Sequence, residues 1–371
     1  MLPSEFVLPG ERNSTHVLRG ALGAVGMSPD PSFTHSADLL ELPRARRACV
    51  VLVDGLGLRQ LRDRSGHFPF LRSRSVKELS TVVPSTTAAA VTSVGTGAMP
   101  GQTGMLGYTV RHPSGSLMNL IKWDDGLVRP QDWQRMPTLG EQVTHPERFV
   151  AVGPARFVGS GLNNAAMRGA RDCSAELLAA RVDVAVDELR SGRADVVYLY
   201  WGEIDHVGHV AGWGSWDWGV EATATDQQLD RLARSLPPDT LLLITADHGM
   251  VDVADRVDMR ASAALAADVE AVAGEPRTTH LYTAQPEAVA ARWRQELGER
   301  AWVIDHARAL EVFAPVAQRF TDVIGDVVVF ARGRTVVLDP ASQTEASMAL
   351  TGVHGSLTAD EMLVPLAVEV I

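Results

Sequence analysis

Four separate apolar runs in this 371-residue chain end in side chains that can bind a cation, move a proton or attack an electrophile. ACVVLVDG (48–55) delivers Asp54, and ELSTVVPS (78–85) ends on Ser85 with Thr86 and Thr87 directly behind it. ADVVYLYWG (194–202) leads into Asp205, His206 and His209, while TLLLITADHG (240–249) delivers Asp247 and His248. Short apolar runs closed by small or polar residues read as buried parallel strands. In open α/β sheets ligands bind outside the carboxyl ends of the strands. One acid at a strand end means little, but carboxylates, imidazoles and hydroxyls from four strands at one edge mean a site.

Each fragment also has a plainer reading. VVLVDGLGLRQL resembles a dinucleotide-binding opening, but Gln60 stands where the third glycine belongs and Asp54 would repel a pyrophosphate. A helix cap is the other alternative for Asp54, and metal ligation is the leading one. Asp205 and His209, spaced i, i+4, share one helix face as paired zinc ligands do; a surface ion pair would look the same. His206 points elsewhere on that helix, as a supporting or structural residue. Asp247-His248 can both reach inward where the backbone turns after its strand, helped by Gly249, or can form an Asx turn with a packed imidazole. His354 lies in TGVHGSL, a glycine-flanked loop able to bring an imidazole to a metal or simply to pack it. A hydroxyl at the start of the helix expected over 87–97 would meet free N–H groups suited to phosphate. Ser85, Thr86 and Thr87 could each be that residue or a plain cap, and local sequence does not choose among them.

The elements that must position these groups alternate strand with helix. Helical patterns cover 87–97, 173–192 and 218–236, giving an α/β fold with a mostly parallel central sheet flanked by helices. Between Gly249 and His354 the pattern changes. An Ala-rich helix (261–272), HLYTA, a helix at 286–297, AWVID and DVVVFARG suggest an inserted small α+β subdomain. The expected division is a catalytic domain over 1–255 and 341–371 with an insertion at 256–340. The tail reads as a helical turn and a closing strand.

Composition narrows the function classes. Lys and Arg number 34 against 45 Asp and Glu, a formal charge of −11, so the basic field of a nucleic-acid scaffold is missing. An acidic chain that binds anionic substrates needs local cations, and metal ions are one source. Cys49 and Cys173 are too few for a disulfide framework or a Cys-rich zinc module and read as reduced thiols. No run reaches the ~20 apolar residues of a spanning helix, and MLPSEFVLPGERNSTHVLRG has no signal-peptide pattern, so the expected location is cytoplasmic with no membrane partner. The arginines of PRARRA (43–48) read as a solvated loop. Trp213, Trp216 and Trp218 could stack a nucleobase but read more simply as packing, as do Trp123 and Trp201.

Taken in order, Asp54, Thr87, Asp205-x-x-x-His209, Asp247-His248 and His354 resemble the alkaline phosphatase superfamily, and within it the type I nucleotide pyrophosphatase/phosphodiesterase family. The resemblance runs from about Cys49 to Pro365. It implies that Thr87 is the nucleophile: the family's Thr-x-Thr-x-Pro-Asn corresponds to Ser85-Thr86-Thr87-Ala88-Ala89-Ala90, with Thr96-Gly97 closing the helix. The sulfatase branch is disfavoured, because its Cys/Ser-x-Pro-x-Arg context is absent. Two departures stand out. The Pro-Asn is Ala-Ala here, and the family's phosphate-binding Asn falls on Tyr108, whose phenol can donate one hydrogen bond; Asn119 is a weaker stand-in.

The resemblance further implies two divalent metal ions about 4 Å apart. Asp205, His209 and His354 would hold one; Asp54, Asp247 and His248 would hold the other, with Thr87 bridging toward it. Imidazole and carboxylate ligands without thiolates suit Zn2+, with Mn2+ as the alternative. The implied reaction is hydrolysis of a small-molecule phosphodiester or pyrophosphate through a phosphothreonine at Thr87. The competing readings are a phosphomonoesterase or phosphonate hydrolase, for which the motifs offer no added cation, and a non-catalytic metal-stabilised binding protein. Oligomeric state is not legible.

Overall fold

The computed structural model describes residues 2–123 and 126–371. Its central sheet has seven strands, ordered Val76–Ser80, Leu363–Val370, Thr240–Thr245, Arg47–Val53, Val196–Trp201, Phe149–Gly153 and Arg171–Ser174. Thr240–Thr245 is buried throughout and Arg47–Val53 at every position after Arg47. Both faces of such strands meet protein, which is why they read as unbroken apolar runs. Helices Thr15–Val25 and Leu178–Arg190 pack on this sheet.

The expectation of a mostly parallel sheet holds in part, because one strand runs against the others. The five strands from Thr240–Thr245 to Arg171–Ser174 run parallel, but Leu363–Val370 is antiparallel to both its neighbours. The short helix Ala359–Met362 leads straight into Leu363, and no crossover helix intervenes to carry the chain back for a parallel entry.

A second, wholly antiparallel sheet has the order Ala301–Asp305, Val327–Ala331, Thr278–Tyr282, Ala271–Gly274, Thr109–Arg111 and Leu117–Asn119. Segment 256–340 supplies four of its strands, and the chain between Thr109 and Asn119 supplies the other two. The apolar core beneath it mixes Phe313, Phe320 and Phe330 with Val83, Met105, Leu106 and Met362. The segment therefore packs as one body with residues from both sides of it in sequence.

Three local expectations change. Only Ala263–Ala266 of the 261–272 stretch is helical; Asp268 turns with φ 60 and Ala271–Gly274 extends to pair with Thr278–Tyr282. The strand expected over 78–85 ends at Ser80, since Pro84 has no N–H to give a ladder, and 81–86 leaves the sheet as a loop. Cys173 belongs to the strand Arg171–Ser174, and the following helix starts at Leu178. The helices expected at 218–236 and 286–297 appear as Trp216–Ser235 and Pro286–Leu297. Both cysteines are free, and among the described residues no helix is long and apolar enough to cross a membrane.

One buried ion pair ties the second sheet to the site loop. Arg277 and Glu361 are both fully buried, 2.6 Å apart at Nη2 and Oε2, and Glu361 Oε1 accepts the Ser356 N–H at 3.0 Å, two residues beyond His354. Removing one partner strands the other charge in the interior. Arg277→Ala should therefore lose about 3–5 kcal/mol in urea unfolding. A loss below about 1 kcal/mol would show that the loop does not depend on the pair.

Candidate active site

Most of the expected site residues come from segments that follow strands of the central sheet, while Tyr108 leads into Thr109–Arg111 of the second sheet. Asp54 follows Arg47–Val53, Asp247 and His248 follow Thr240–Thr245, and Asp205 and His209 ride on the helix Glu203–Ala211 that succeeds Val196–Trp201. His354 leaves the short strand Gly352–Val353, which pairs with Val251–Asp252. The helix can approach the sheet because position 55 is glycine. Its φ is +74°, and a Cβ there would stand 2.8 Å from Asp205 Cβ.

Six of these side chains form two groups, Asp205–His209–His354 and Asp54–Asp247–His248. Within each, one ligand-type atom per residue lies within 4.8 Å of the others. His209 Nε2 is 3.1 Å from Asp205 Oδ2 and 3.3 Å from His354 Nε2. His248 Nε2 is 3.3 Å from Asp54 Oδ1 and 3.4 Å from Asp247 Oδ2. The two groups adjoin, with the His248 and His354 rings stacked at 3.6 Å.

Backbone carbonyls fix the tautomers. Nδ1 of His209 faces Gly352 O at 2.7 Å, Nδ1 of His248 faces Gly249 O at 3.0 Å and Nδ1 of His354 faces Ser85 O at 3.0 Å. A carbonyl only accepts, so each Nδ1 carries the proton and each Nε2 turns its lone pair into the cluster. Oδ1 of Asp54, Oδ1 of Asp205 and Oδ2 of Asp247 are buried with no hydrogen-bond partner. Buried oxygens left bare beside inward lone pairs are what divalent cations satisfy, so the donor set fits two such ions.

The electrostatics lead to the same fit. Burial, then Asp247 and Asp205, push the Asp54 carboxyl well above the usual carboxylate range. Burial likewise raises Asp247, against the pull of His248. Burial opposes charge on both members of the Asp205–His209 pair, yet the pair prevails. Asp205 is held below its ordinary range, and the imidazole of His209 is pushed up to about 9. Without cations, protons take up part of the positive charge that this crowd of carboxylates requires.

Thr87 begins the helix Thr87–Thr96, and its Oγ1 lies 3.2 Å from His248 Nε2. Ser85 Oγ instead donates to Ser356 O at 2.6 Å. Of the three candidate hydroxyls, Thr87 is the one against the Asp54–Asp247–His248 group.

Asp54, Thr87, Asp205, His209 and His354 open on a cavity of about 890 Å³, whose wall includes Tyr108 and Asn119. Tyr108 is 41% exposed. The Asn119 Oδ1 accepts the N–H groups of Ile121 and Lys122, both at 2.9 Å, so it shapes the wall. Trp218 is wholly buried in the core, Trp216 is 79% exposed, and neither they nor Trp213 line the cavity. His206 is exposed on the outer side of its helix. The motifs offered no added cation, but Lys122 and Arg156 both stand on the cavity wall.

Two wall residues escaped the sequence reading. The Tyr200 hydroxyl donates to Asp54 Oδ2; its signal was the alternation in VVYLYW, which turns Tyr198 and Tyr200 to one face. Glu275, in the turn between Ala271–Gly274 and Thr278–Tyr282, is 7% exposed and lines the same cavity. Nothing in GEPRT separates it from an ordinary surface turn.

An α/β sheet edge carrying two carboxylate–imidazole groups and an abutting threonine hydroxyl matches the arrangement that resemblance to the alkaline phosphatase superfamily implies. The match to the family model for type I phosphodiesterase/nucleotide pyrophosphatase spans residues 48–357, and the chain belongs to that family of phosphoric-ester hydrolases. Among solved structures, murine ectonucleotide pyrophosphatase/phosphodiesterase 5 is similar at 16% identity and a TM-score of 0.69, covering 86% of this chain and 87% of that one. An inactive variant of the murine protein in complex with AMP gives 15% identity and 0.68, over 86% of this chain and 87% of that one. Phosphonoacetate hydrolase from Sinorhizobium meliloti 1021, in complex with phosphonoformate, gives 20% identity and 0.65, over 88% and 90%. No curated protein sequence matches the chain.

Proposed function

We propose that the protein hydrolyses small phosphodiesters or pyrophosphates at a pair of divalent cations, with Thr87 as nucleophile. The single observation that carries this reading is the Thr87 hydroxyl, 3.2 Å from a histidine nitrogen whose other ring nitrogen is pinned to a carbonyl. Asp205, His209 and His354 would hold one ion; Asp54, Asp247 and His248, with Thr87, would hold the other. The thiolate-free donor set suits zinc, with manganese as the alternative.

When bound, the ions supply Lewis-acid charge for the phosphoryl oxygens and lower the cost of ionising a hydroxyl. The chain's own groups do the rest. Carbonyls of Gly249, Gly352 and Ser85 hold the three rings at fixed angles. Tyr200 keeps Asp54 from rotating away. Thr87 Oγ1 attacks phosphorus as the bond to the leaving alcohol or phosphate breaks, the phosphoryl group stays esterified to Thr87 with its remaining substituent, and water then releases it as a monoester while the Thr87 hydroxyl is restored. The N–H groups opening the helix Thr87–Thr96, with the Tyr108 phenol, would hold nonbridging oxygens.

Lys122 supports a second reading. A cation on the wall suits the extra charge of a monoester or a phosphonate. One experiment separates the two: the bound-metal content measured together with turnover of nitrophenyl nucleotide diester against nitrophenyl phosphate. Two ions per chain and a diester rate above the monoester rate are expected. A dominant monoester rate transfers the assignment to the second reading, and metal-loaded protein inert to both esters refutes hydrolysis.

A further inference from the structure

The cavity extends from the two carboxylate–imidazole groups in two directions, and the walls differ in charge. On the Thr87 side, Val91 stands one helical turn beyond Thr87 and lines the cavity with Tyr200, whose hydroxyl donates to Asp54 Oδ2. The Arg156 guanidinium lies over the Phe157 ring at 5.0 Å, and that ring meets the Tyr200 ring at 5.6 Å. Lys122 precedes Trp123, whose indole a Cβ on Gly161 would strike at 2.1 Å. The helix Gly161–Ala166 in turn packs on the helix Thr87–Thr96, where a Cβ on Gly95 would stand 2.1 Å from Ala166 O. Lys122 and Arg156, the lysine and arginine of the cavity wall among the described residues, therefore both belong to the Thr87 side.

On the other side the wall begins at His209 and His354. Thr351 N donates to His209 O at 2.8 Å, and Leu350 and Val353 beside it pack in one apolar cluster while Met259, Val272 and Val337 pack in another. All five line the cavity. Backbone bonds join these segments, from Val337 N to Pro276 O at 2.9 Å and from Met259 N to Leu338 O at 3.0 Å. Farther out, Ser342, Gln343 and Ser347 offer uncharged hydrogen-bonding groups. The other ionisable side chains on this side are Glu275 and Asp339, and neither attracts an anion in any protonation state. The nearby arginines are engaged elsewhere. Arg260 donates to both oxygens of Asp339, at 2.7 and 3.2 Å, and Arg277 is paired with Glu361.

In an in-line displacement at phosphorus, the leaving group departs opposite the nucleophile. Thr87 abuts the Asp54–Asp247–His248 group, so the leaving group points past Asp205, His209 and His354 into this second arm. Resting on the hydrolase reading above, we infer that the leaving group is an uncharged alcohol with an apolar body, and that pyrophosphate and other anionic leaving groups are rejected. An anion entering the arm loses hydration, and no lysine or arginine there replaces it. An apolar alcohol instead gains from burial against Met259, Val272 and Val337, while its polar substituents reach Ser342, Gln343 and Ser347. The discrimination comes as much from the pairing that the arm withholds as from the contacts it makes. The balance is diester plus water to monoester plus alcohol, and the alcohol is the part this arm holds.

The test compares one nucleoside monophosphate joined to a nitrophenol bearing a carboxamide, to the matching nitrophenol bearing a carboxylate, and, as the nucleoside triphosphate, to pyrophosphate. With metal-loaded wild type, kcat/KM for the carboxamide ester should exceed that for either anionic leaving group by at least about tenfold. Titration calorimetry with Thr87→Ala should give the same order of binding without turnover. Ser347→Lys puts a cation on the arm and should narrow the carboxamide-to-carboxylate ratio at least about threefold. Gln343→Lys places the same charge at a second point, with metal content and Tm measured on both variants. Equal kcat/KM for charged and uncharged leaving groups in wild type would overturn the inference and leave the hydrolase reading intact. A ratio that neither lysine narrows overturns it as well, since the leaving group then lies outside this arm. Metal-loaded wild type inert to all three substrates removes the hydrolase reading and this inference together.

Discussion

Thr87→Ala is expected to fold, bind its cations and lose turnover of a nitrophenyl diester by at least about a thousandfold, as removal of a nucleophile does in other hydrolases. The substitution deletes a hydroxyl whose recorded polar contact is with His248 Nε2. Alanine is also a good residue for the first turn of a helix, so the loss should not come from unfolding. The helix Thr87–Thr96 is anchored by Ala88, Ala89, Ala90 and Val94, all buried, and none of them changes. Thr87→Ser keeps the oxygen and should retain far more activity than the alanine variant. Acid-quenched wild type should carry the substrate's nucleotidyl group on Thr87 as a phosphodiester, detectable by mass spectrometry, and Thr87→Ala should not. An alanine variant within tenfold of wild type would move the nucleophile to another group, and Ser85 is already committed to Ser356 O.

The residues on the central sheet were legible because their chemistry and their placement share one local rule. A strand buried on both faces must be an apolar run, and whatever follows it lies at the sheet edge. That is how Asp54, Asp247 and Asp205 could be drawn together although up to 193 positions separate them (247 − 54). His354 obeys no such rule. Its strand is two residues long, so the flanking glycines of TGVHGSL marked it only as a candidate and the family resemblance made it a ligand. Glu275 is hidden for a similar reason. It becomes a cavity residue only when Ala271–Gly274 pairs with Thr109, across more than 160 positions, and no local pattern encodes that pairing. The Ala-rich stretch 261–272 misleads in the opposite direction. Helix propensity is a weak prior, and pairing of Ala271–Gly274 with Thr278–Tyr282 overrides it. The closing strand was visible as a strand, but its direction was not, since direction is decided by where the preceding turn delivers the chain.

Stripping the metals should abolish turnover and also make the protein's stability depend on pH in a sense opposite to ordinary acid denaturation. In cation-free protein, the His209 imidazole sits at about 9 against an unfolded value near 6.5. A raised imidazole stabilises the fold fully below the unfolded value and loses that contribution as pH climbs through the folded one. Asp54 and Asp247 are raised as well, which acts in the same direction above their unfolded values. Asp205 is depressed, but its contribution is complete well below neutral pH and adds no slope in this window. The unfolding free energy of chelator-treated protein should therefore drop between about pH 6.5 and 9, by an amount on the order of 2–3 kcal/mol from His209, and its Tm should fall with it. Cations displace those protons, so metal-loaded protein should be flat over the same window, and loading should release protons into weakly buffered solution. Readdition of zinc or manganese should recover the lost activity, which chelation lowers by at least about a thousandfold. Chelated protein that keeps its turnover, or whose Tm rises from pH 6.5 to 9, would mean that the two carboxylate–imidazole groups do not hold the cations on which the chemistry depends.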